Sequence, residues 1–102
     1  MPIREDERRI EEPLVTELVS ELDGWTSDGK RLEKTFVRSG FTDAVALVNA
    51  IAAAANAADH HPDIHLESYK KVRVVLTTHA SGGISRSDID LARRIDELAK
   101  SA

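Results

Sequence analysis

The apolar residues of this chain switch repeatedly between helical and strand spacing, and that alternation restricts the fold more than any other feature. From Pro13 onward, Leu14, Val15, Leu18, Val19 and Leu22 recur at three- and four-residue intervals, which predicts a helix. Pro13 suits its first position, where a missing N–H leaves no bond unmade, and Gly24 is placed to stop it. Trp25 to Arg38 predicts two short strands around the turn Ser27-Asp28-Gly29-Lys30. There Leu32, Lys34, Phe36 and Arg38 alternate with Arg31, Glu33, Thr35 and Val37. Thr42 is a candidate N-cap for a second helix with Ala44, Val45, Val48, Ile51, Ala52 and Ala55 on one face. Its Ala-rich run, Ala50 to Ala58, predicts tight packing through small side chains. Leu66 to Thr78 predicts a further strand pair, with Val72, Val74 and Leu76 on one face and a turn near Lys70-Lys71. After the loop Ser81-Gly82-Gly83, Ser85 and Asp88 make a capping box for a third helix carrying Ile89, Leu91, Ala92, Ile95, Leu98 and Ala99.

The order helix, strand, strand, helix, strand, strand, helix predicts an α+β fold. Its expected form is a four-stranded antiparallel sheet with three helices packed on one face and a largely polar opposite face. With 102 residues the chain makes one domain, expected over residues 13–102. Residues 1–12 read as a charged lead-in without chemistry, its first nine residues either frayed or a short helical run. The only aromatics are Trp25, Phe36, Phe41 and Tyr69, so the core must be built from Leu, Val, Ile and Ala. A domain of this size buries roughly 60–65% of its unfolded surface, which leaves a modest stability that self-association would raise.

Composition excludes several classes. Without Cys there is no disulfide, thiolate metal site or Cys nucleophile. Acidic residues outnumber basic ones by 18 to 14, and the resulting net charge of −4 argues against nucleic acid as a partner. No apolar run approaches the ~20 residues of a membrane span. The start, MPIREDERRIEEP, lacks the apolar core of a signal peptide, so the expected location is the cytoplasm.

The chemistry concentrates at Asp59-His60-His61-Pro62-Asp63. All four His of the chain, His60, His61, His65 and His79, lie within one stretch. Imidazole changes charge nearest neutral pH and so suits proton transfer. The second helix must end near Asp59, because a residue preceding proline avoids helical geometry. If residues 64–78 turn near Lys70, His61 faces His79, and three imidazoles gather at one end of the sheet beside Asp59 and Asp63. Rival readings stand beside this one. His60 and His61 can cap helix-end carbonyls. His61 and His65 have the spacing of helical metal ligands, but Pro62 interrupts any helix between them. A Ser–His–Asp hydrolase could use Ser81 or Ser85, but no nucleophile elbow is present. Gly82-Gly83 could cradle phosphate, but without the spacing of a nucleotide motif.

Taken together, Asp59-His60-His61-Pro62-Asp63, Tyr69, Leu76-Thr77-Thr78-His79, and Gly83-Ile84-Ser85 followed by Asp88, Ile89, Leu91 and Ala92 resemble the pterin-4a-carbinolamine dehydratases. Leu22 with Gly24-Trp25, and Phe36, Phe41 and Ala44, extend the resemblance over residues 14–98. It implies a dimeric or tetrameric α+β subunit. The implied reaction dehydrates 4a-hydroxytetrahydrobiopterin to the quinonoid dihydropterin, recycling the pterin of aromatic amino-acid hydroxylases with no metal or organic cofactor. The resemblance marks His60, His61 and His79 as catalytic. His60 and His79 would form the acid/base pair and His61 would position the pterin. It places Asp59, Pro62, Thr77, Thr78 and Ala80 in substrate-binding stretches, with Asp88 in support. Asn56 stands where members often carry Glu, Ile64 where an aromatic is common, and the spacer from Pro62 to Tyr69 is one residue longer than in animal members. The same fold also serves as a non-catalytic interaction module, a transcription-factor dimerisation cofactor or an assembly chaperone. In those members a degraded His set is expected, and here the set is intact.

Overall fold

The computed structural model describes residues 3–101. After a 3-10 turn at Glu5–Glu7 come α1 (Leu14–Ser20), β1 (Thr26–Ser27), β2 (Leu32–Val37), α2 (Phe41–Ala58), β3 (Asp63–Glu67), β4 (Lys71–Leu76) and α3 (Arg86–Ser101). The sheet is antiparallel throughout, in the order β1-β2-β4-β3. This is the expected α+β architecture, with the element order predicted from the periodicities.

Strand alternation sets the inner face. Leu32 and Phe36 of β2 lie beside Val72, Val74 and Leu76 of β4, all buried. Over them pack Ala44, Leu47, Ile51 and Ala55 of α2 and Ile89, Ala92 and Ile95 of α3. Burial of a side chain such as Leu47 or Ile51 contributes about 1.5–3 kcal/mol. Trp25 meets Phe36 edge to face, with ring centroids 6.2 Å apart. Lys34 lies in the inner row between Leu32 and Phe36, and its ammonium reaches out to Asp96 Oδ1 at 2.8 Å and the Asp23 carbonyl at 2.6 Å. Asp96 also accepts the Trp25 indole N–H, so one carboxylate of α3 holds both members of the β1–β2 end. The outer sheet face is polar, with Arg73 bonded to Glu67 on one neighbouring strand and Glu33 on the other.

Several local expectations are corrected. α1 ends at Ser20, and Gly24 (φ +79°) serves the turn beyond it. α2 starts at Phe41 with Gly40 as its N-cap, not Thr42. Its start is held by Asp43, whose carboxylate accepts the Ser39 N–H and hydroxyl and so anchors the entering chain. The buried row of α2 includes Leu47, while Ala52, Ala53, Ala57 and Ala58 are exposed, so the alanine run is only partly a packing face. At 18 residues and a mean hydropathy of 1.4, α2 is also long and apolar enough to cross a bilayer by composition, although the sequence had shown no such run. Its Ala44–Leu47–Ile51–Ala55 row covers the sheet here. The β3–β4 turn centres on Tyr69 rather than Lys70, since Asp63 faces Val75 and Glu67 faces Lys71. Ser68 and Tyr69 adopt positive φ there (48° and 55°) without the Gly or Asn that usually marks such a turn.

Of the two readings of the charged lead-in, the structure has the short helical one, over Glu5–Glu7, and this segment is bonded to the rest of the fold. The Ile10 N–H donates to the Ile84 carbonyl at 2.8 Å, and the Ser87 hydroxyl donates to the Asp6 carbonyl at 3.0 Å. Arg9 bridges to Ser85. Gly83 admits this approach, because a Cβ there would lie 2.7 Å from Arg9 Cδ.

Candidate active site

The site begins where α2 stops. Asp59 takes the left-handed conformation (φ 51°, ψ 43°), one that a short polar residue tolerates at a helix end. Its N–H returns to Asn56 O, and the His60 N–H returns to Ala55 O, closing the helix and turning the chain toward Pro62. From this corner His60 and His61 leave in different environments.

His60 goes inward. It is 7% exposed, and its Nε2 lies 2.6 Å from Asp88 Oδ1, a carboxylate with no exposed surface. An ionised carboxylate only accepts, so Nε2 carries the proton whether the ring is neutral or charged. Asp88 Oδ2 accepts the Thr78 hydroxyl at 2.8 Å and the Ser85 N–H at 2.9 Å. Thr78 has one hydroxyl hydrogen, and it points to Asp88. The Ser85 hydroxyl, 2.6 Å away, therefore donates to Thr78. A directional chain results, in which Ser85 donates to Thr78, and Thr78 and His60 both donate to Asp88. The hydrogen bond that His60 donates to Asp88 raises the His60 pKa above 6.5 against the opposing effect of burial. The Asp88 and Glu7 charges add to the rise, and the Arg4 charge counters it. The expected Ser85–Asp88 capping box is half made, because the Ser85 hydroxyl is diverted to Thr78.

His61 goes outward. It is exposed, and its Nε2 lies 2.9 Å from Asn56 Oδ1, so the amide oxygen fixes the Nε2–H tautomer and leaves Nδ1 free. Asn56, read from the sequence as a departure from the family pattern, thus orients a histidine. His79 is also exposed and follows the buried Thr78. Its loop is held by the Thr78 N–H on the Gly83 carbonyl and the Gly82 N–H on the Thr78 carbonyl. The expected facing of His61 and His79 does not follow from the observed register. That register, continued outward from Asp63 and Val75, brings His60 level with Thr78. Their shared bond to Asp88 agrees with this.

The structure therefore joins His60, Thr78 and Asp88 directly and leaves His61 and His79 on the surface. Asp59 is turned to Arg4, with Nη1 on its carboxylate and Nη2 on its carbonyl, both at 3.2 Å. The Thr77 hydroxyl donates to the Lys30 carbonyl at 2.7 Å, tying this edge to the β1–β2 loop. Pro62 is half-buried and Ala80 exposed. His65 lies on the outer sheet face opposite Arg73, and β3 starts at Asp63, so His61 and His65 do not share a helical face. A cleft of about 370 Å³ between α1 and β1 is lined by Val15, Val19, Leu22 and Trp25. It has no imidazole, and its carboxylate, Glu12, is bonded to Thr16. Sequence reasoning missed Arg4 and Glu7 as neighbours of the site. Their only sequence signal was charge.

A small α+β domain with a buried Asp–His pair and two exposed histidines at one end of the sheet is suited to moving protons on a small molecule. The chain belongs to the pterin 4 alpha carbinolamine dehydratase family, whose pattern matches residues 8–98. A relative from Thermomicrobium roseum, assigned by its name to the pterin-4-alpha-carbinolamine dehydratases, is 43% identical over 91 residues, 89% of this chain and 97% of its own length. A crystal structure from Brucella melitensis, described as a transcriptional coactivator/pterin dehydratase, superposes with a TM-score of 0.83 at 32% identity, over 90% of this chain and 99% of that one. A pterin dehydratase-like protein identified as a RuBisCO assembly factor in the alpha-carboxysome shares the fold, with a TM-score of 0.61 at 24% identity over 76% and 89% of the two chains.

Proposed function

We propose that this protein dehydrates a 4a-hydroxytetrahydropterin to the quinonoid dihydropterin by histidine acid/base catalysis, in pterin recycling. The observation that carries the reading is the buried His60–Asp88 pair beside two exposed imidazoles, in a chain of this family. The reaction breaks the bond from C4a to its hydroxyl. The hydroxyl takes a proton and leaves as water, and a ring nitrogen loses a proton as the C=N bond forms. One group must give a proton and another accept one, and each such transfer contributes about 10²–10⁴-fold.

His60 suits the acid. Asp88 keeps its ring protonated to higher pH and fixes Nε2, so Nδ1, which makes no hydrogen bond among the described residues, is the nitrogen that transfers. His79 takes the base role, since no side chain among the described residues engages its ring. His61, oriented by Asn56, positions the pterin. Asp59, Pro62, Thr77, Thr78 and Ala80 shape the surrounding surface, with Thr78 acting from beneath through Asp88. A homodimer or homotetramer is the proposed working form, in keeping with the exposed Phe41, Tyr69 and α2 alanines.

Stopped-flow dehydration of freshly generated 4a-hydroxytetrahydropterin tests this. The reading expects a rate far above buffer. A rate equal to buffer would leave the interaction role of the fold as the function.

A further inference from the structure

The N-terminal arm contacts both walls of the histidine site. Arg4 reaches over the end of α2 and grips Asp59 twice, through the carboxylate and the carbonyl, each at 3.2 Å. Both contacts fall on the left-handed residue from which His60 and His61 leave the helix. The Arg4 guanidinium is itself oriented, with Nε 3.2 Å from Glu7 Oε1 and 3.4 Å from Asp6 Oδ1. Further along, the arm is bonded to the opposite wall. Ser87 at the start of α3 donates to the Asp6 carbonyl, and Ile10 donates to Ile84. These anchors flank Ser85 and Asp88. The arm thus spans the same gap as the His60–Asp88 bond.

An isolated exposed ion pair holds little. A guanidinium fork on two groups of one residue, carried by a backbone bonded to α3, is a different device, and lysine cannot reproduce its planar geometry.

We propose that residues 4–10 are a built part of the site, and that Arg4 is a positioning residue setting the Asp59–His60 corner against Asp88. What is positioned rests on the reading of His60 as a working group, but the test reads the ring itself. The charged groups around His60 are Asp88 from α3, Glu7 and Arg4 from the arm, and Asp59 beside it in the chain.

The experiment follows the His60 ring by NMR through a pH titration of the full chain. Arg4→Lys keeps the positive charge and removes the fork. Positioning predicts a midpoint lower by roughly 0.3–0.5 pH units, a two- to threefold weaker proton affinity, because the Asp88 contact is made less of the time. An unchanged or higher midpoint overturns the proposal, since charge alone makes Lys equivalent to Arg. Glu7→Gln lowers the midpoint too if the arm lies over His60, and an unchanged value there also overturns it. Should the wild-type chain fail to dehydrate the pterin, the functional reading falls while the titration still decides this inference.

Discussion

Replacing Asp88 by Asn is the sharpest perturbation of the site. The side chain keeps its shape and loses its charge. In the native protein Asp88 accepts from His60, Thr78 and the Ser85 N–H, and none of the four groups is more than 7% exposed. An amide has one oxygen for these three donors, and its NH₂ must face an acceptor. The least costly arrangement keeps Thr78 and Ser85 on the oxygen and turns the NH₂ to His60. His60 Nε2 must then accept, so the neutral ring moves its proton to Nδ1. With the carboxylate gone, burial is the main influence left on the ring, and it lowers the pKa. The His60 midpoint therefore falls from above 6.5 to below it.

The stability consequence has a definite sign. In the native protein the raised His60 pKa contributes stability that is fully present below 6.5 and lost as pH rises through the folded-state value. In Asp88→Asn the folded-state pKa lies below the unfolded one, so acidification destabilises the variant. Disturbing one partner of a buried pair costs about 3–5 kcal/mol when it is removed. An isosteric amide keeps part of the hydrogen bonding, and about 2 kcal/mol is expected, a drop of roughly 8–16 °C in Tm for a domain of this size. Ring ¹⁵N shifts report the tautomer, and thermal unfolding across the neutral range reports the linkage. A variant whose His60 still titrates above 6.5, or whose stability keeps the native dependence on pH, would refute the reasoning.

Other outcomes follow from the same geometry. His79→Ala should lower the dehydration rate about 10²-fold or more with a stability change within about 0.5 kcal/mol, because the ring is exposed; full activity in a folded variant removes His79 from the mechanism. Asp96→Ala strips partners from both the Trp25 indole and the Lys34 ammonium and should cost about 2–3 kcal/mol in denaturant unfolding, with a red-shifted Trp25 emission; an unshifted midpoint would mean the carboxylate holds nothing. Ile51→Ala opens space where α2 meets the sheet and should cost about 2–5 kcal/mol, whereas Ala53→Ser on the exposed alanine face should change monomer stability by less than about 0.5 kcal/mol.

Much of the fold was legible because burial follows period. Leu32 and Phe36, Val72, Val74 and Leu76, and Ile89, Ala92 and Ile95 lie inside where their spacing puts them. The β3–β4 turn centre is displaced by one residue, and each cross-strand partner by two, because Ser68 and Tyr69 hold positive φ without turn-forming chemistry, and nothing in the residue types announces that. The histidine cluster was legible as a composition and as a family resemblance. The resemblance placed Asp88 in support of the site, but its pairing with His60 was not legible. Asp88 lies 28 residues away and reads locally as a helix cap, and only the packing of α3 against the end of α2 makes it the anchor of an imidazole. The arm escaped notice for a related reason. The arm itself meets Ile84 and Ser87 through main-chain groups, the Ile10 N–H and the Asp6 carbonyl, which any sequence would supply, while its charged side chains look like ordinary solvated surface.

The most direct measurement is the pH dependence of the dehydration rate constant for the wild-type chain. With His60 as acid and a second imidazole as base, the profile is bell-shaped, and its alkaline limb falls above 6.5, where the Asp88-bound ring gives up its proton. A catalysed rate that does not change across that range, or one no faster than buffer at any pH, would contradict histidine acid/base chemistry at this site.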